Sequence, residues 1–250
     1  MKAIIIAAGL GSRLRPFTDK VPKCLVRIGN KTILESQIEI FKSLGIKDIN
    51  LIVGYKKNKF KDKKINYIYN NEFLKNNSLE SLFYASSKMN SPCIITYSDI
   101  IFKKKIVKKL LKSREDISVL VDTDWKKNYK GRTLHPISQA ENVVYDKNLF
   151  LKKVGKNISS KESNGEFIGM LKINSNGSKI FKKYYKLAKK KFKKNFFYTS
   201  KLFKRAYLTD LFCFLIDYKI KIKCVNIKNN WMEIDTIQDY KRAQNFFIKK

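Results

Sequence analysis

The residues best suited to chemistry sit in the first tenth of the chain. An apolar run, Lys2–Ala7, leads into Ala7-Ala8-Gly9-Leu10-Gly11-Ser12-Arg13-Leu14-Arg15-Pro16 and then Pro22-Lys23. Glycines directly after a buried strand let backbone N–H groups approach phosphate oxygens closely. Arg13 and Lys23 add the positive charge that a triphosphate needs. The spacing matches neither GxxxxGK[ST] nor GxGxxG. A bare Gly-x-Gly would serve a tight turn equally well. Two carboxylates lie far downstream: Asp99, after Cys93–Tyr97, and Asp235, before Thr236. Together they could hold Mg²⁺, which takes oxygen ligands and bridges phosphates. Taken singly, each reads equally as a turn or helix-entry residue. Asn76, Asn77 and Ser78 offer side chains that donate and accept, as recognition of a nucleobase demands; a plain loop with Ser78 as helix cap is the alternative.

These groups need a frame, and hydrophobic periodicity supplies one. Lys2–Ala7 is apolar throughout, as for a strand buried on both faces. Asp48–Val53, Cys93–Tyr97 and residues 64–69 and 117–121 read as further strands. Residues 32–44, ended by Gly45, and residues 78–89 and 103–112 have helical spacing. The resulting order, β-α-β-β-α-β-α-β, implies a three-layer αβα architecture with a mostly parallel, Rossmann-like mixed sheet. In such a sheet ligands bind beyond the carboxyl ends of the strands, where the glycine loop begins. Beyond residue 124 the pattern is less regular. Residues 125–144 read as an excursion over that edge, 150–154, 167–173 and 221–225 as strands, and Ser175–Phe192, 200–217 and 236–247 as helices. We read residues 1–250 as one domain, with a nucleotide-binding half (1–122) and an acceptor-binding half (123–250).

Composition narrows the function classes. The chain is 44% hydrophobic, enough for a sizeable core. No stretch approaches the ~18 uncharged apolar residues of a membrane span, and the N-terminus lacks the pattern of a signal peptide. A cytoplasmic location is expected. Cys24, Cys93, Cys213 and Cys224 are scattered without a CxxC pair, so neither a zinc site nor a disulfide framework is expected. His135 is the only histidine, which argues against histidine-based acid–base chemistry. The net charge is +33, yet only seven of the 54 basic residues are Arg. Lys is spread along the chain beside many Asn and Ile, as compositional drift in an AT-rich genome would produce. A specific nucleic-acid reader would cluster its charge and include Arg for bidentate contacts. The charge still favours anionic substrates and draws polyanions at low salt, so a non-catalytic polyanion-binding module is kept as an alternative.

The string AAGLGSRLRPFTDKVPKCL is followed in order by Asn76-Asn77-Ser78-Leu79, Ser98-Asp99, Gly165-Glu166-Phe167-Ile168-Gly169 and Trp231-Met232-Glu233-Ile234-Asp235-Thr236. This set resembles the sugar-nucleotide pyrophosphorylase superfamily, whose members couple a nucleoside triphosphate to a phosphorylated small molecule. Within it, the pattern is similar to the cytidylyltransferase branch, which acts on phosphocholine, 2-aminoethylphosphonate or phosphoramidate acceptors. The resemblance implies CTP and Mg²⁺. It implies nucleotide contacts from Ala7, Ala8, Gly9, Gly11, Ser12, Arg13, Lys23, Asn76, Asn77 and Ser78. Lys23, Arg13 and Asp99 would be catalytic, with Asp99 and Asp235 on the metal. Glu166 would receive a cationic group of the acceptor and Trp231 would form an aromatic wall beside it; a solvent-facing carboxylate and a core tryptophan are the plainer readings. Asp122, Asp124, Trp125, Tyr129, Arg132 and Pro136 resemble an acceptor-side excursion, with Arg132 clamping the acceptor phosphate or else lying on the surface. A sugar-1-phosphate nucleotidyltransferase using another triphosphate is the runner-up.

Overall fold

The computed structural model describes residues 1–244 and 246. In chain order the strands are β1 (Lys2–Ala7), β2 (Arg27–Ile28), β3 (Lys31–Thr32), β4 (Asp48–Val53), β5 (Asn66–Tyr69), β6 (Cys93–Tyr97), β7 (Ile100–Phe102), β8 (Ile117–Asp122), β9 (Asn142–Tyr145), β10 (Leu151–Gly155), β11 (Gly165–Ile173), β12 (Lys223–Ile227) and β13 (Trp231–Glu233). The α-helices are α1 (Ile33–Ser43), α2 (Ser78–Phe83), α3 (Lys104–Leu111), α4 (Lys126–Tyr129), α5 (Ser175–Phe192), α6 (Leu208–Asp217) and α7 (Ile237–Ala243).

β1 runs parallel to β4 on one side and to β6 on the other, and β4 is parallel to β5. β11 then pairs antiparallel with β6, β8 and β9, and β12 runs parallel to β8. The sheet is thus mixed: parallel where βαβ crossovers build it, antiparallel where β11 enters. Side-chain alternation creates the two outer layers. Ile4, Ile52, Val119 and Leu171 point to a core shared with α2, α5 and α6. Ala3, Ile5, Leu51 and Leu120 point to the opposite core, with α1 and α3. α1 begins where expected because Thr32 and Glu35 form a reciprocal capping box, with Thr32 Oγ1 accepting from Glu35 N at 3.1 Å and Glu35 Oε2 accepting from Thr32 N at 2.7 Å.

Three expected helices are shorter than their periodicity suggests. The segment from Ser78 breaks after Phe83 and resumes as a 3₁₀ turn, and its N-cap is Asn77 rather than Ser78. The 200–217 segment becomes helical only at Leu208. Its first part is a loop organised by the Asp210 carboxylate, which accepts from Thr199 Oγ1 at 2.7 Å, Ser200 Oγ at 2.9 Å and Tyr207 N at 2.8 Å. α7 spans Ile237–Ala243, and residue 247 lies outside the described residues.

Two features position the functional edge. β1 and β6 end side by side, so the loops carrying Gly9–Lys23 and Ser98-Asp99 leave the sheet together. β13 pairs antiparallel with β7, and Ile234 N donates to Asp99 O at 2.8 Å. That short ladder carries Asp235 from the C-terminal region to the side of Asp99.

Candidate active site

The glycine loop is held in one shape by close packing. Gly11 adopts φ +63°, and a Cβ there would stand 2.9 Å from Lys23 Cβ and 3.1 Å from Thr18 Cγ2. Only glycine tolerates both the conformation and the contact. Thr18 Oγ1 donates to Gly11 O at 2.9 Å, closing the loop against the segment that brings Lys23 back. Ala7 and Ala8 are buried at the end of β1, and Gly9 faces open space.

Lys23 is the centre of the site. Its Nζ donates to Asp99 Oδ2 at 2.8 Å and also to Asp235 Oδ1, while Arg13 Nη2 donates to Asp235 Oδ2. Burial by itself would lower the Lys23 pKa; Asp235 and Asp99 more than reverse this and hold the ammonium above its usual range. Burial would raise Asp235, but Lys23, His135 and Arg13 outweigh it and keep the carboxyl well below its usual range. His135 is 2% exposed, with Nδ1 3.3 Å from Asp235 Oδ2 and Nε2 3.4 Å from Glu233 Oε2. His135, Glu233 and Asp235 each present a ligand atom within 4.8 Å of one another.

A cleft of about 300 Å³ opens from this centre. The side beside the glycine loop is formed by Ala7, Ala8, Gly9, Gly11, Asn76, Asn77 and Ser78. Asn76 exchanges two amide hydrogen bonds with Asn70, at 2.9 and 3.0 Å. The Asn77 side chain accepts from Ser78 N at 2.8 Å, and Ser78 Oγ accepts from Leu208 N at 3.1 Å. All three therefore shape the loop as well as lining the cleft. Ser12 lies outside this cleft, in an adjoining pocket that Arg205 also lines.

The far side contains Glu141, Lys156, Glu166, Gly169, Tyr207 and Trp231. Glu166 is not solvent-facing: it is 3% exposed, and Oε1 accepts from Tyr129 OH. Burial raises its pKa to about 8, against the opposing pull of Tyr129 and Arg132. Burial likewise raises Glu141 to about 7, with Lys156 opposing. Trp231 is both core and wall, packed in the α1–α3 core with its Nε1 donating to Asp122 Oδ2 at 2.8 Å. Gly169 adopts φ +76° and a Cβ there would meet the Tyr97 ring at 2.3 Å, so glycine leaves the room that the ring occupies.

Arg132, expected at an acceptor phosphate, is not part of the lining. Its guanidinium faces Asp239 at 2.8 Å and Glu233 at 3.7 Å and covers the Tyr129 ring. Nor does its cluster line the cleft: Asp122 is fully buried and Trp125 packs with Tyr129 and Ala140. Sequence reasoning passed over Tyr97, Glu141, Lys156, Tyr207 and Glu233, and dismissed His135. Glu233 was recoverable, because Trp231, Glu233 and Asp235 alternate along one extended segment. Glu141 and His135 lie in an irregular excursion with no periodic signal.

Comparison with known proteins agrees with this geometry. Residues 3–153 match the family model of the MobA-like NTP transferase domain. The CTP:phosphoglutamine cytidylyltransferase of Campylobacter jejuni is 31% identical over 251 residues, covering 96% of this chain and 97% of that protein. The choline-phosphate cytidylyltransferase of Streptococcus pneumoniae is 39% identical over 117 residues, 45% of this chain and 51% of that one. The solved structure of a CTP:phosphocholine cytidylyltransferase from Streptococcus pneumoniae superposes with TM-score 0.73 at 24% identity, covering 98% of both chains. An inositol-1-phosphate CTP transferase from T. maritima gives 0.74 at 20% identity, covering 98% of this chain and 95% of that one. The two structural likenesses establish the fold. Family and fold together decide against a non-catalytic polyanion-binding module. The chain belongs to the MobA-like NTP transferase family, among relatives that are cytidylyltransferases, and is a nucleotidyltransferase.

Proposed function

We propose that this enzyme transfers the cytidylyl group of CTP to a small phosphorylated or phosphonate acceptor and releases pyrophosphate. The observation that carries the reading is Lys23 set between Asp99 and Asp235, beside the glycine loop, at the carboxyl edge of β1 and β6. The cytidylyltransferase relatives support CTP as the donor. An anionic acceptor oxygen attacks the α-phosphorus in line. A new P–O bond forms, the bridging α–β P–O bond breaks, and pyrophosphate departs. That oxygen is already a nucleophile, so no general base is required, and catalysis reduces to positioning and charge neutralisation.

Lys23, kept protonated by its two carboxylates, and the half-exposed Arg13 neutralise the triphosphate and the leaving pyrophosphate. Backbone groups from Ala7 to Ser12 hold base and phosphates, with Asn76, Asn77 and Ser78 at the edge of the base. Asp99 and Asp235 suit Mg²⁺: both donors are carboxylate oxygens, and among the described residues Asp99 Oδ1 is buried without a hydrogen-bond partner. When bound there, the ion supplies charge neutralisation to the phosphates. Glu166 and Trp231 receive the cationic end of the acceptor. The activated product suits later transfer onto a surface polysaccharide or lipid. We place the reaction in the cytoplasm; among the described residues no helix is long and apolar enough to cross a membrane.

Pyrophosphate release is followed with CTP, Mg²⁺ and a panel of phosphorylated and phosphonate acceptors. Turnover with at least one is expected, and none with any would overturn the proposal. Thermal shifts with the four triphosphates and Mg²⁺ test the donor, because a ligand bound only by the native state raises stability. CTP should give the largest shift. A larger shift with UTP, GTP or dTTP would favour a sugar-1-phosphate nucleotidyltransferase.

A further inference from the structure

The surface around the C-terminal end of α5 combines unpaired positive charge with exposed apolar side chains. Between Glu166 and Asp210 the chain has no acidic residue, while Lys recurs throughout. Compositional drift would add Lys everywhere but would not clear one segment of Asp and Glu. Two carboxylates reach this surface from other elements: Glu80 pairs with Lys189 at 3.0 Å, and Asp217 accepts from Tyr198 OH. The exposed Lys190, Lys191, Lys193, Lys194, Lys201 and Lys204 form no ion pair among the described residues. In the loop that follows α5, Phe196 is 64% exposed, Leu202 41% and Tyr198 39%. A single exposed apolar residue needs no explanation; three in one short loop beside a run of lysines do. The loop is anchored from below. Phe197 and Phe203 are buried with ring centres 5.0 Å apart, and Phe192 meets Phe197 at 5.1 Å. Phe197 N donates to Ser200 O at 2.9 Å and Ser200 N to Phe197 O at 3.0 Å, closing a tight turn at Tyr198 and Thr199. The helix itself buries Phe181, Tyr185 and Ala188 in the core, so the loop, not α5, supplies the free apolar contact.

We propose that the end of α5 and the loop after it dock the protein on an anionic lipid surface. Phe196, Tyr198 and Leu202 enter the headgroup region, and the flanking lysines meet the lipid phosphates. Interfacial binding grows with the apolar area buried and with attraction to anionic lipids, and this patch supplies both. A nucleic acid fits less well. Phosphate recognition there favours Arg, of which the acid-free segment has only Arg205, and Leu202 offers no face for a base to stack on. The contact is peripheral, because among the described residues no helix is long and apolar enough to cross a membrane. The same loop runs on to Tyr207, which lines the cleft, and Lys204 O accepts from Asn77 N at 3.2 Å. Docking surface and cleft are therefore joined through one loop. The docking itself does not depend on the transfer reaction proposed above.

Docking is measured by co-sedimentation of the full chain with vesicles of phosphatidylcholine alone and of phosphatidylcholine with phosphatidylglycerol. The anionic vesicles should bind at least about tenfold more tightly than the neutral ones. Lys193→Glu combined with Lys194→Glu should remove most of that preference. Phe196→Ser combined with Leu202→Ser should weaken binding to the anionic vesicles by about tenfold. Every replaced side chain is exposed, so the variants should melt close to the wild type. Phe196→Trp gives a direct readout that needs no loss of function. Trp125 and Trp231 are buried, so fluorescence quenched by brominated acyl chains in anionic vesicles reports insertion of the loop. An unquenched Phe196→Trp protein, equal binding to neutral and anionic vesicles, no binding to either, or serine variants that bind as well as the wild type would overturn the inference. Tighter binding to a single-stranded RNA than to anionic vesicles, lost with the same substitutions, would also overturn it and assign the patch to nucleic acid.

Discussion

Lys23 carries one positive charge between two carboxylates and is 12% exposed at its side chain. Its removal takes away the ion-pair partner of Asp99 and leaves Asp235 to Arg13 and His135, and breaking such a pair costs about 3 kcal/mol or more where it is buried. Lys23→Ala should therefore lose turnover by at least about 100-fold. It should also melt at a lower temperature than the wild type in EDTA, and Mg²⁺ should raise its melting temperature more than it raises that of the wild type. Retained activity would refute the role of the loop. Glu166 makes a second prediction at this scale. Burial raises its pKa from 4.5 to about 8. The folded protein thus binds that proton more tightly than the unfolded chain does. This contribution favours the fold most below about pH 4.5 and declines as the pH rises towards about 8. Glu166→Gln should flatten the decline. Its melting temperature should exceed that of the wild type at about pH 8.5 and differ little at about pH 5, as thermal unfolding at the two pH values would show.

At the scale of elements, two substitutions separate structure from site. Gly11→Ala forces a side chain into φ +63° and against Lys23 Cβ at 2.9 Å. It should cost about 1–3 kcal/mol and lower kcat as well, because Lys23 must shift. Thr32→Ala removes the cap of α1, whose bond from Glu35 N is 3.1 Å. It should cost about 1 kcal/mol and leave kcat unchanged, since the loss falls at the N-cap and spares the bonds by which Gln37 Nε2 of α1 holds Tyr97 O at 3.0 Å and Ile100 O at 2.7 Å beside Asp99. Chemical denaturation and steady-state kinetics on both variants check this, and equal effects on kcat would contradict it. The β13–β7 ladder has the same importance as the glycine loop, because it carries Asp235 to the side of Asp99.

The whole molecule carries a net charge of +33, while its cleft is lined by more acidic than basic residues. α5 shows the outer pattern: Lys189, Lys190 and Lys191 end it, and its buried residues include Phe181, Tyr185 and Ala188. Heparin should bind the enzyme at about 50 mM salt and release it at several hundred millimolar, with a steep logarithmic dependence. The salt-dependent binding should persist in Lys23→Ala, because it arises from the surface. Binding lost with Lys23 would place polyanions in the cleft instead.

The sequence alone carried the glycine loop and the strands that present it. A strand buried on both faces, a glycine pair and two basic residues are local patterns, and neighbouring residues suffice to imply them. The same holds for β4, β6 and α1, whose periodicities survive folding because each buries a whole face. Tertiary structure decided the rest. Asp99 and Asp235 meet only because β13 pairs with β7, a long-range contact that no spacing announces. Arg132 looked like an anion clamp on the grounds of residue type, but folding turned it to Asp239 and Glu233. Glu141, Lys156 and His135 come from irregular segments where periodicity says nothing, and their burial, pairing and missing partners exist only once β9, β10 and β11 have closed over the cleft.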